Sequence, residues 1–265
     1  MTQFIRYLKV YKRILGIATM LLVEWRASFI IWTIIHVGEL AINLTFFQII
    51  LSRTSLVGGW GIYEIAILLG YMELLLGLGG QTFYPMMSEF GEQIRTGKLD
   101  EKLVKPLDIQ FLVSFPWTDV SDIFSIVTGI FMMTYGVSHL AVGNLALAIL
   151  TFIPQLVISM IILYSMILML LTISFITTKF DSVGDLYWTI ISIGRYPVSL
   201  YKGLFHAFLM FVLPIGLVTS VPARTLAGFF EPGYFVYSIF LAVFLFFISR
   251  KIFLANIRHY TSASS

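Results

Sequence analysis

Long apolar stretches fill most of this chain, and they restrict its fold more than any other feature of the sequence. Six of them are candidate membrane crossings, at residues 28–51, 62–84, 115–140, 145–178, 203–221 and 234–249. A helix needs about twenty mainly apolar residues to cross a bilayer, and it satisfies its own backbone hydrogen bonds there. The chain is 58% apolar and 12% charged, whereas soluble domains are about 45–50% apolar and 25% charged. We therefore predict an all-α membrane protein, with six transmembrane helices in a single domain over residues 1–265.

The distribution of basic residues predicts which side of the membrane each segment faces. With six crossings, 15 of the 17 lysine and arginine residues fall on one side, and only Arg53 and Arg224 fall on the other. Cytoplasmic loops are enriched in lysine and arginine, so both termini are expected in the cytoplasm. Residues 1–26 combine basic and apolar positions as an amphipathic interfacial helix does. Residues 179–202 are placed on the cytoplasmic surface too, because their apolar run is too short to cross.

Small residues recur in the second candidate crossing. Gly70 follows Ala66 by four positions, and Gly77 begins a further cluster of glycines. Small residues at such spacing let a neighbouring helix approach closely in a membrane. We expect this helix to pack tightly against another one.

A polar segment at 88–108, between the second and third crossings, carries nine charges in 21 residues. Its sequence predicts short helices at 89–96 and 101–105. Gly97 is expected in the left-handed conformation that ends a helix, and Asp100 as the cap of the second helix.

Leucines at every fourth position give the polar segment one apolar stripe, formed by Leu99, Leu103 and Leu107. Charged residues flank the stripe, namely Glu92, Arg95, Lys98 and Lys102. An apolar anchor with a charged rim is typical of a docking surface, and an ordinary solvated loop is the alternative.

Two acidic residues, Glu39 and Glu73, lie within candidate crossings. Ionisable groups inside a membrane are unfavourable by about 2.5–3.5 kcal/mol and are functional candidates by default. Both residues are therefore candidates for a pathway for protons or a polar substrate. The alternative is a packing role, with each acid protonated or hydrogen-bonded to a neighbouring helix.

Motifs for catalysis or cofactor binding are not apparent. Five residues separate Gly91 from Gly97, whereas a phosphate-binding loop has four, and Leu99 stands where that loop needs serine or threonine. The chain has no cysteine, and His139 and His206 are isolated from other ligand types. We expect no ATP site, cofactor, metal site or catalytic residue in this chain, and no nucleic-acid partner.

The polar segment resembles the signature of a bacterial ABC-2-type permease family, in which a loop of the form I-x-x-G-x-L-D-x-x-L-x-x-P-L follows the second crossing. The matching residues are Ile94, Gly97, Leu99, Asp100, Leu103, Pro106 and Leu107. Looser matches occur at residues 25–26, 195–197, 213–214 and 221–223. With six crossings, the resemblance extends over essentially the whole chain.

This resemblance implies the permease subunit of an ATP-binding cassette transporter, an exporter in the bacterial cytoplasmic membrane. ATP hydrolysis would belong to a separate ATPase subunit, and a second permease, identical or related, would be a further partner beside membrane lipids. The loop would be the element that couples the permease to the ATPase. Its residues would be Gly91, Glu92, Ile94, Arg95, Gly97, Lys98, Leu99, Asp100, Leu103, Pro106 and Leu107.

Two other functions remain open from the sequence. One is a secondary transporter driven by an ion gradient, with Glu39 and Glu73 as proton relays; such transporters are expected to contain inverted repeats, and no convincing internal repeat is found. The other is a membrane scaffold that transports nothing, for which the polar segment is only a docking loop.

Overall fold

The computed structural model describes residues 2–24, 26–118, 122–173, 181–258 and 260. Within these residues the regular structure is helical, apart from an isolated β-bridge between Val57 and Trp60. The helices are α1 (Thr2–Glu24), α2 (Arg26–Leu51), α3 (Ile62–Thr82), α4 (Pro85–Arg95), α5 (Lys98–Leu103), α6 (Ile109–Ser114), α7 (Ile123–Ser138), α8 (Leu145–Ile173), α9 (Asp181–Ser192), α10 (Gly203–Ala207), α11 (Ile215–Val218), α12 (Ser220–Leu226) and α13 (Pro232–Ile257). The predicted all-α class is confirmed.

Several of these helices are long and apolar enough to cross a bilayer. Among the described residues there are four such segments, Thr33–Leu51, Ile62–Arg95, Leu145–Thr172 and Pro232–Ile257. Gly203–Val212 and Ile215–Leu226 make a fifth only if they count as one span, and they are bent by 63°. The apolar helix α7 has only 16 residues, which is about 24 Å of helix. By length and composition alone, four or five crossings are supported where six were predicted.

The helix α7 is shorter than the crossing expected over 115–140. Residues before it form the separate helix α6, whose first turn is capped because Asp108 Oδ1 accepts a hydrogen bond of 3.3 Å from Phe111 N. Pro116 then lies in non-helical chain, since proline lacks an N–H and disfavours a helical residue before it. The predicted start at residue 115 is therefore wrong, and the helix begins at Ile123.

The helices α3 and α7 meet along a seam of glycines. A Cβ added to Gly70 would lie 2.7 Å from the carbonyl oxygen of Gly129, and one added to Gly129 would lie 2.6 Å from that of Gly70. Gly77 and Gly136 continue the seam on either side. Side chains at these positions would overlap the facing backbone, so glycine permits the close approach. The predicted tight packing of this helix is confirmed.

The helix α9 and the two 3-10 turns after it run along α3 from one end to the other. At the end that continues into α4, Tyr187 Oη donates a hydrogen bond of 3.0 Å to Tyr84 Oη. At the opposite end, Ser199 Oγ donates one of 2.6 Å to the carbonyl oxygen of Gly58, in the turn before α3. The prediction that residues 179–202 stay at one membrane surface is therefore wrong for this described part.

The helical path of this segment is interrupted by 3-10 turns and a charged residue, which explains why the sequence did not predict that it extends along the whole of α3. The 3-10 turns are Ile193–Arg195 and Val198–Leu200, with Pro197 before the second one. Arg195 forms an ion pair with Glu39 of α2, so its charge is compensated within the apolar layer. A hydropathy pattern counts such a charge as exposed to lipid and ends the crossing there.

Residues 203–226 also differ from the crossing expected over 203–221. His206 Nδ1 lies 3.1 Å from the carbonyl oxygen of Val198, so α10 lies at the end where the turn 57–60 is found. Arg224, in α12, lies 5.6 Å from the ring centroid of Trp60 in that same turn. Both ends of the segment lie at one end of the molecule, so the predicted crossing is wrong.

The middle of this segment turns back inside the helix bundle. A π-helical turn, Phe208–Val212, is followed by Pro214, which cannot continue the hydrogen-bond ladder. Beyond it, the carbonyl oxygen of Val218 accepts a hydrogen bond of 3.0 Å from Ser159 Oγ, near the middle of α8. The segment α10 to α12 is thus a re-entrant hairpin.

Candidate functional site

The polar segment forms a compact set of short helices at one end of α3. Only two residues separate α3 from α4, and Ile62–Arg95 behaves as one helical stretch of 34 residues. Pro85 occupies the first turn of α4, a position that suits proline, so this helix begins before the predicted 89–96. On its inner face, the Phe90 ring lies 5.8 Å from that of Phe253 in α13. The segment is therefore a direct continuation of the membrane helices.

The connection between α4 and α5 depends on Gly97. Its φ is +73°, which confirms the predicted left-handed conformation, and Gly97 is also the N-cap of α5. The predicted cap at Asp100 is wrong, because the helix begins at Lys98 and Asp100 lies in its first turn. An acid there interacts favourably with the helix dipole. The helix ends at Leu103, before Pro106.

The predicted leucine stripe is divided between the interior and the surface. Leu99 is fully buried in the hydrophobic core, whereas Leu103 is 41% exposed. Leu107 is half-buried. Val104, which sequence reasoning did not single out, is 83% exposed. The exposed apolar surface of this segment is therefore Leu103 and Val104, and Leu99 holds α5 against the helix bundle.

The other predicted coupling residues differ in how far they are exposed. Lys98 Nζ lies 3.9 Å from Glu92 Oε1, and both side chains are more than half exposed. Gly91 is buried, Ile94, Gly97 and Asp100 are half-buried, and Arg95 and Pro106 are exposed. The charged residues of the polar segment that face outward are Glu92, Arg95, Lys98, Glu101 and Lys105.

Lys102 does not belong to the exposed rim that the sequence predicted. Its Nζ donates a hydrogen bond of 2.9 Å to the carbonyl oxygen of Leu112 in α6. Burial lowers the pKa of Lys102 from 10.5 to about 8, because a charged ammonium is less favourable away from water. This side chain therefore ties α5 to α6.

An ion pair missed by the sequence analysis joins the end of the polar segment to α13. Arg250 NH2 donates to Asp108 Oδ2 at 2.7 Å, and NH1 donates to Asp108 Oδ1 at 3.2 Å. These hydrogen bonds, more than any other contact, lower the pKa of Asp108. Such two-pronged pairs are stronger and more directional than single ones. Both residues flank apolar stretches, and this position was the only feature of the sequence that could have indicated a role for them. Their pairing depends on the tertiary fold.

Further hydrogen bonds extend this pair to two more helices. Arg250 NH1 also donates to Gln110 Oε1 at 2.6 Å, and Gln110 Nε2 donates to Tyr164 Oη of α8 at 2.7 Å. The backbone N–H of Asp108 donates to Tyr7 Oη of α1 at 3.1 Å. We call this set the Asp108 network, consisting of Tyr7, Asp108, Gln110, Tyr164 and Arg250. It connects α6 with α1, α8 and α13.

The two acids predicted within crossings lie near one another. Glu39 pairs with Arg195, and Glu73 lies within electrostatic reach of both. Glu73 is 5% exposed, and its Oε2 has no hydrogen-bond partner among the described residues. Sequence reasoning missed Arg195 as the partner, because it placed this residue on the cytoplasmic surface. Whether the acids belong to a pathway stays a prediction.

Comparison with known proteins agrees with the resemblance described above. A family model described as "ABC-2 family transporter protein" matches residues 37–264 of the 265-residue chain. Neither the search of curated proteins nor the search of solved structures finds a match. Because the matched range contains the polar segment and every helix from the middle of α2 onward, the chain belongs to the ABC-2 family of transporter proteins.

Proposed function

We propose that the chain is the permease subunit of an exporter in the bacterial cytoplasmic membrane, driven by ATP that a separate ATPase subunit hydrolyses. The family match supports a membrane subunit of an ABC transporter. A second permease, identical or related, completes the transporter. The contact with the ATPase is made by the residues around α5, which we call the coupling element, residues 91–107.

The observation that carries this proposal is the exposed apolar tip of the coupling element. Leu103 and Val104 are 41% and 83% exposed, outside the membrane-spanning helices. Charged residues of the same segment, Glu92, Arg95 and Lys98, are exposed as well. A partner protein that covers this tip removes apolar surface from water, while the charged rim sets its orientation. Exposed apolar residues of a membrane protein can face lipid, but Leu103 and Val104 belong to a highly charged segment that is not expected inside the bilayer.

The base of the coupling element is suited to transmit movement. Leu99 packs in the core, Lys102 bonds α6, and the Asp108 network joins α6 to α8 and α13. A partner that moves α5 therefore acts on several membrane helices together. Such rigid-body transmission between domains is a known basis of switching.

We propose six crossings with both termini inside, and the contacts of Tyr187 and Ser199 with opposite ends of α3 support this number. The crossings are α2, α3, α7, α8, α9 with its 3-10 turns, and α13. Lys202 then joins Arg53 and Arg224 on the outside and Arg195 lies within the membrane, which leaves 13 of the 17 basic residues on the cytoplasmic side. This distribution still obeys the positive-inside rule.

Co-purification tests the contact with the ATPase. In Leu103→Asp and Val104→Asp, docking must bury an unpaired carboxylate or fail, so the ATPase activity that elutes with the tagged wild-type permease should be lost. Lys98→Ala should retain most of it, because exposed charge pairs contribute only about 0–1 kcal/mol. All variants should reach the membrane in equal amount. Full retention of ATPase by both aspartate variants would disprove docking at this tip.

A further inference from the structure

One side of α1 packs against α6 and the end of α3. Tyr7 and Tyr11 are four residues apart and therefore share a side of the helix. Tyr7 Oη accepts the hydrogen bond of 3.1 Å from Asp108 N, and its ring lies 4.7 Å from that of Phe111 in α6. Tyr11 Oη donates a hydrogen bond of 3.2 Å to the carbonyl oxygen of Gln81, in the last turn of α3. This tyrosine side places α1 where α3 ends and the polar segment begins.

The opposite side of α1 carries a cluster of positive charge. Arg6, Lys9 and Arg13 recur at intervals of three and four residues, which places them together on the helix, and all three are exposed. We call them the basic side of α1. Residues 1–23 contain no acid, and within the described part of the chain no carboxylate lies within 4.0 Å of these cations. The charge of the basic side is therefore not compensated by the described residues.

Exposed apolar side chains lie between the tyrosine side and the basic side. With 3.6 residues per turn, Ile5 and Leu8 fall between them, and they are 43% and 59% exposed. Lys12 lies on the same flank and is exposed, and its long stem can extend to the headgroups. In a helix at a membrane surface, apolar side chains reach the acyl chains while cations stay among the headgroups. The arrangement around α1 fits this environment better than it fits water alone.

We propose that the basic side of α1 binds the headgroups of anionic phospholipids, and that this contact holds α6 in place through Tyr7. Negative headgroups complement the uncompensated cations, and each lysine or arginine near an anionic surface favours binding about fivefold. The helix α1 then joins two structures, because its basic side contacts lipid while Tyr7 binds the backbone of Asp108. The anionic lipid content of the membrane thus regulates how firmly α6 is held. Its consequence for ATP-driven transport rests on the proposed function.

Quenching of a fluorophore on α1 by labelled lipid tests the lipid contact. The chain has no cysteine, so bimane can be attached at Leu8→Cys alone. The labelled chain is placed in phosphatidylcholine nanodiscs that contain equal amounts of nitroxide-labelled phosphatidylglycerol or nitroxide-labelled phosphatidylcholine. Phosphatidylglycerol should quench more strongly. The difference should shrink between 0.1 M and 1 M salt, because the Debye length falls from about 10 Å to about 3 Å.

Two matched double variants assign this preference to the basic side. Lys9→Gln with Arg13→Gln should reduce the preference for phosphatidylglycerol at least about threefold, because two cations leave the lipid contact. Arg53→Gln with Lys202→Gln removes the same charge from exposed residues at the opposite end of α3. This helix is about 30 Å long, which is several Debye lengths, so the control should keep the preference within about twofold.

Hydrogen exchange of backbone amides tests the link to α6. In the wild type, replacing part of the phosphatidylcholine by phosphatidylglycerol should slow exchange at residues 108–114 at least about twofold, because local opening becomes rarer. Tyr7→Phe keeps the ring against Phe111 and removes the acceptor of Asp108 N. In this variant, phosphatidylglycerol should still quench the probe on α1, but most of its effect on residues 108–114 should be lost.

Three results would overturn the proposal. Equal quenching by the two lipids in the wild type, or a preference that Lys9→Gln with Arg13→Gln leaves intact, would exclude the lipid contact. Exchange at residues 108–114 that does not respond to phosphatidylglycerol would exclude the link through Tyr7. Neither measurement includes an ATPase, so these failures are distinct from a failure of docking at the coupling element.

Discussion

At the scale of single residues, Asp108 takes part in contacts that belong to three parts of the fold. Its carboxylate caps α6 through Phe111 N and pairs with Arg250 of α13, while its backbone N–H binds Tyr7 of α1. The side chains of Asp108 and Arg250 are 32% and 37% exposed, so water screens part of their attraction. The ion pair therefore acts mainly by fixing the orientation of α6 relative to α13.

A double-mutant cycle measures the coupling between Asp108 and Arg250. We expect Asp108→Asn and Arg250→Gln each to lower the free energy of unfolding by about 1–2 kcal/mol, because each leaves a charged partner without its ion pair. The double variant should lose about 1 kcal/mol less than the sum of the two. Denaturant or thermal unfolding of the detergent-solubilised chain is the measurement, and strict additivity would contradict a direct interaction.

The same pair predicts the sign of a pH effect. Because the pKa of Asp108 lies below its usual 3.8 in the folded chain, the unfolded state binds this proton more readily than the folded state. The stabilisation is therefore complete above the unfolded pKa and is lost as the pH falls through the lowered one. As the pH is lowered from about 5 to about 3, the free energy of unfolding of Asp108→Asn should fall by less than that of the wild type.

At the scale of secondary structure, the glycine seam sets the distance between α3 and α7. In Gly129→Ala, the new Cβ would lie 2.6 Å from the carbonyl oxygen of Gly70 and 2.7 Å from Leu74 N. Backbone atoms cannot rotate away, so we expect a loss of about 1–3 kcal/mol. Gly38→Ala in α2 is the matched control, since nothing lies within 4 Å of its position. It should be neutral or stabilising by up to about 1 kcal/mol.

Unfolding midpoints of these two glycine variants decide whether the seam is needed. A Gly129→Ala chain as stable as Gly38→Ala would show that α7 shifts without loss, and that the close approach is not required for stability.

Sequence reasoning predicted the uninterrupted helices well and the interrupted ones poorly. The apolar runs that became α2, α3, α8 and α13 are continuous, so length and hydropathy sufficed. The segment around Arg195 and Pro197 combines a short helix with 3-10 turns, and its charge is matched by Glu39 from another helix. Such compensation depends on tertiary contacts, which a hydropathy pattern does not contain. The re-entrant hairpin was taken for a crossing because its apolar composition is the same as that of one.

The candidate site shows the same division. Gly97 was predicted correctly because a left-handed glycine is a local property of the chain. The inward orientation of Leu99 and Lys102 and the pairing of Asp108 with Arg250 were not, since each depends on helices distant in sequence. The four-residue spacing of the leucines identified an apolar stripe. It did not show that the helix bundle covers Leu99 and leaves Leu103 exposed.

At the scale of the whole molecule, the topology proposed above has Lys202 outside the cell. This residue is exposed and follows the segment that runs along α3 to the turn 57–60. The chain contains no cysteine, so single cysteines can report on each side. In intact cells, a membrane-impermeant thiol reagent should label Lys202→Cys and Leu56→Cys, but Lys98→Cys only after the cells are opened. Protection of Lys202→Cys together with labelling of Leu56→Cys would restore the original placement of residues 179–202.

Cross-linking in native membranes tests most directly whether the coupling element contacts an ATPase. Val104→Cys carries its thiol at a position 83% exposed at the tip, and Leu56→Cys carries one at a position 55% exposed at the opposite end. With a short thiol-to-amine cross-linker, Val104→Cys should join the permease to the ATPase that co-purifies with it, and Leu56→Cys should not. Equal cross-linking from both positions, or ATPase capture only from Leu56→Cys, would contradict the proposed coupling.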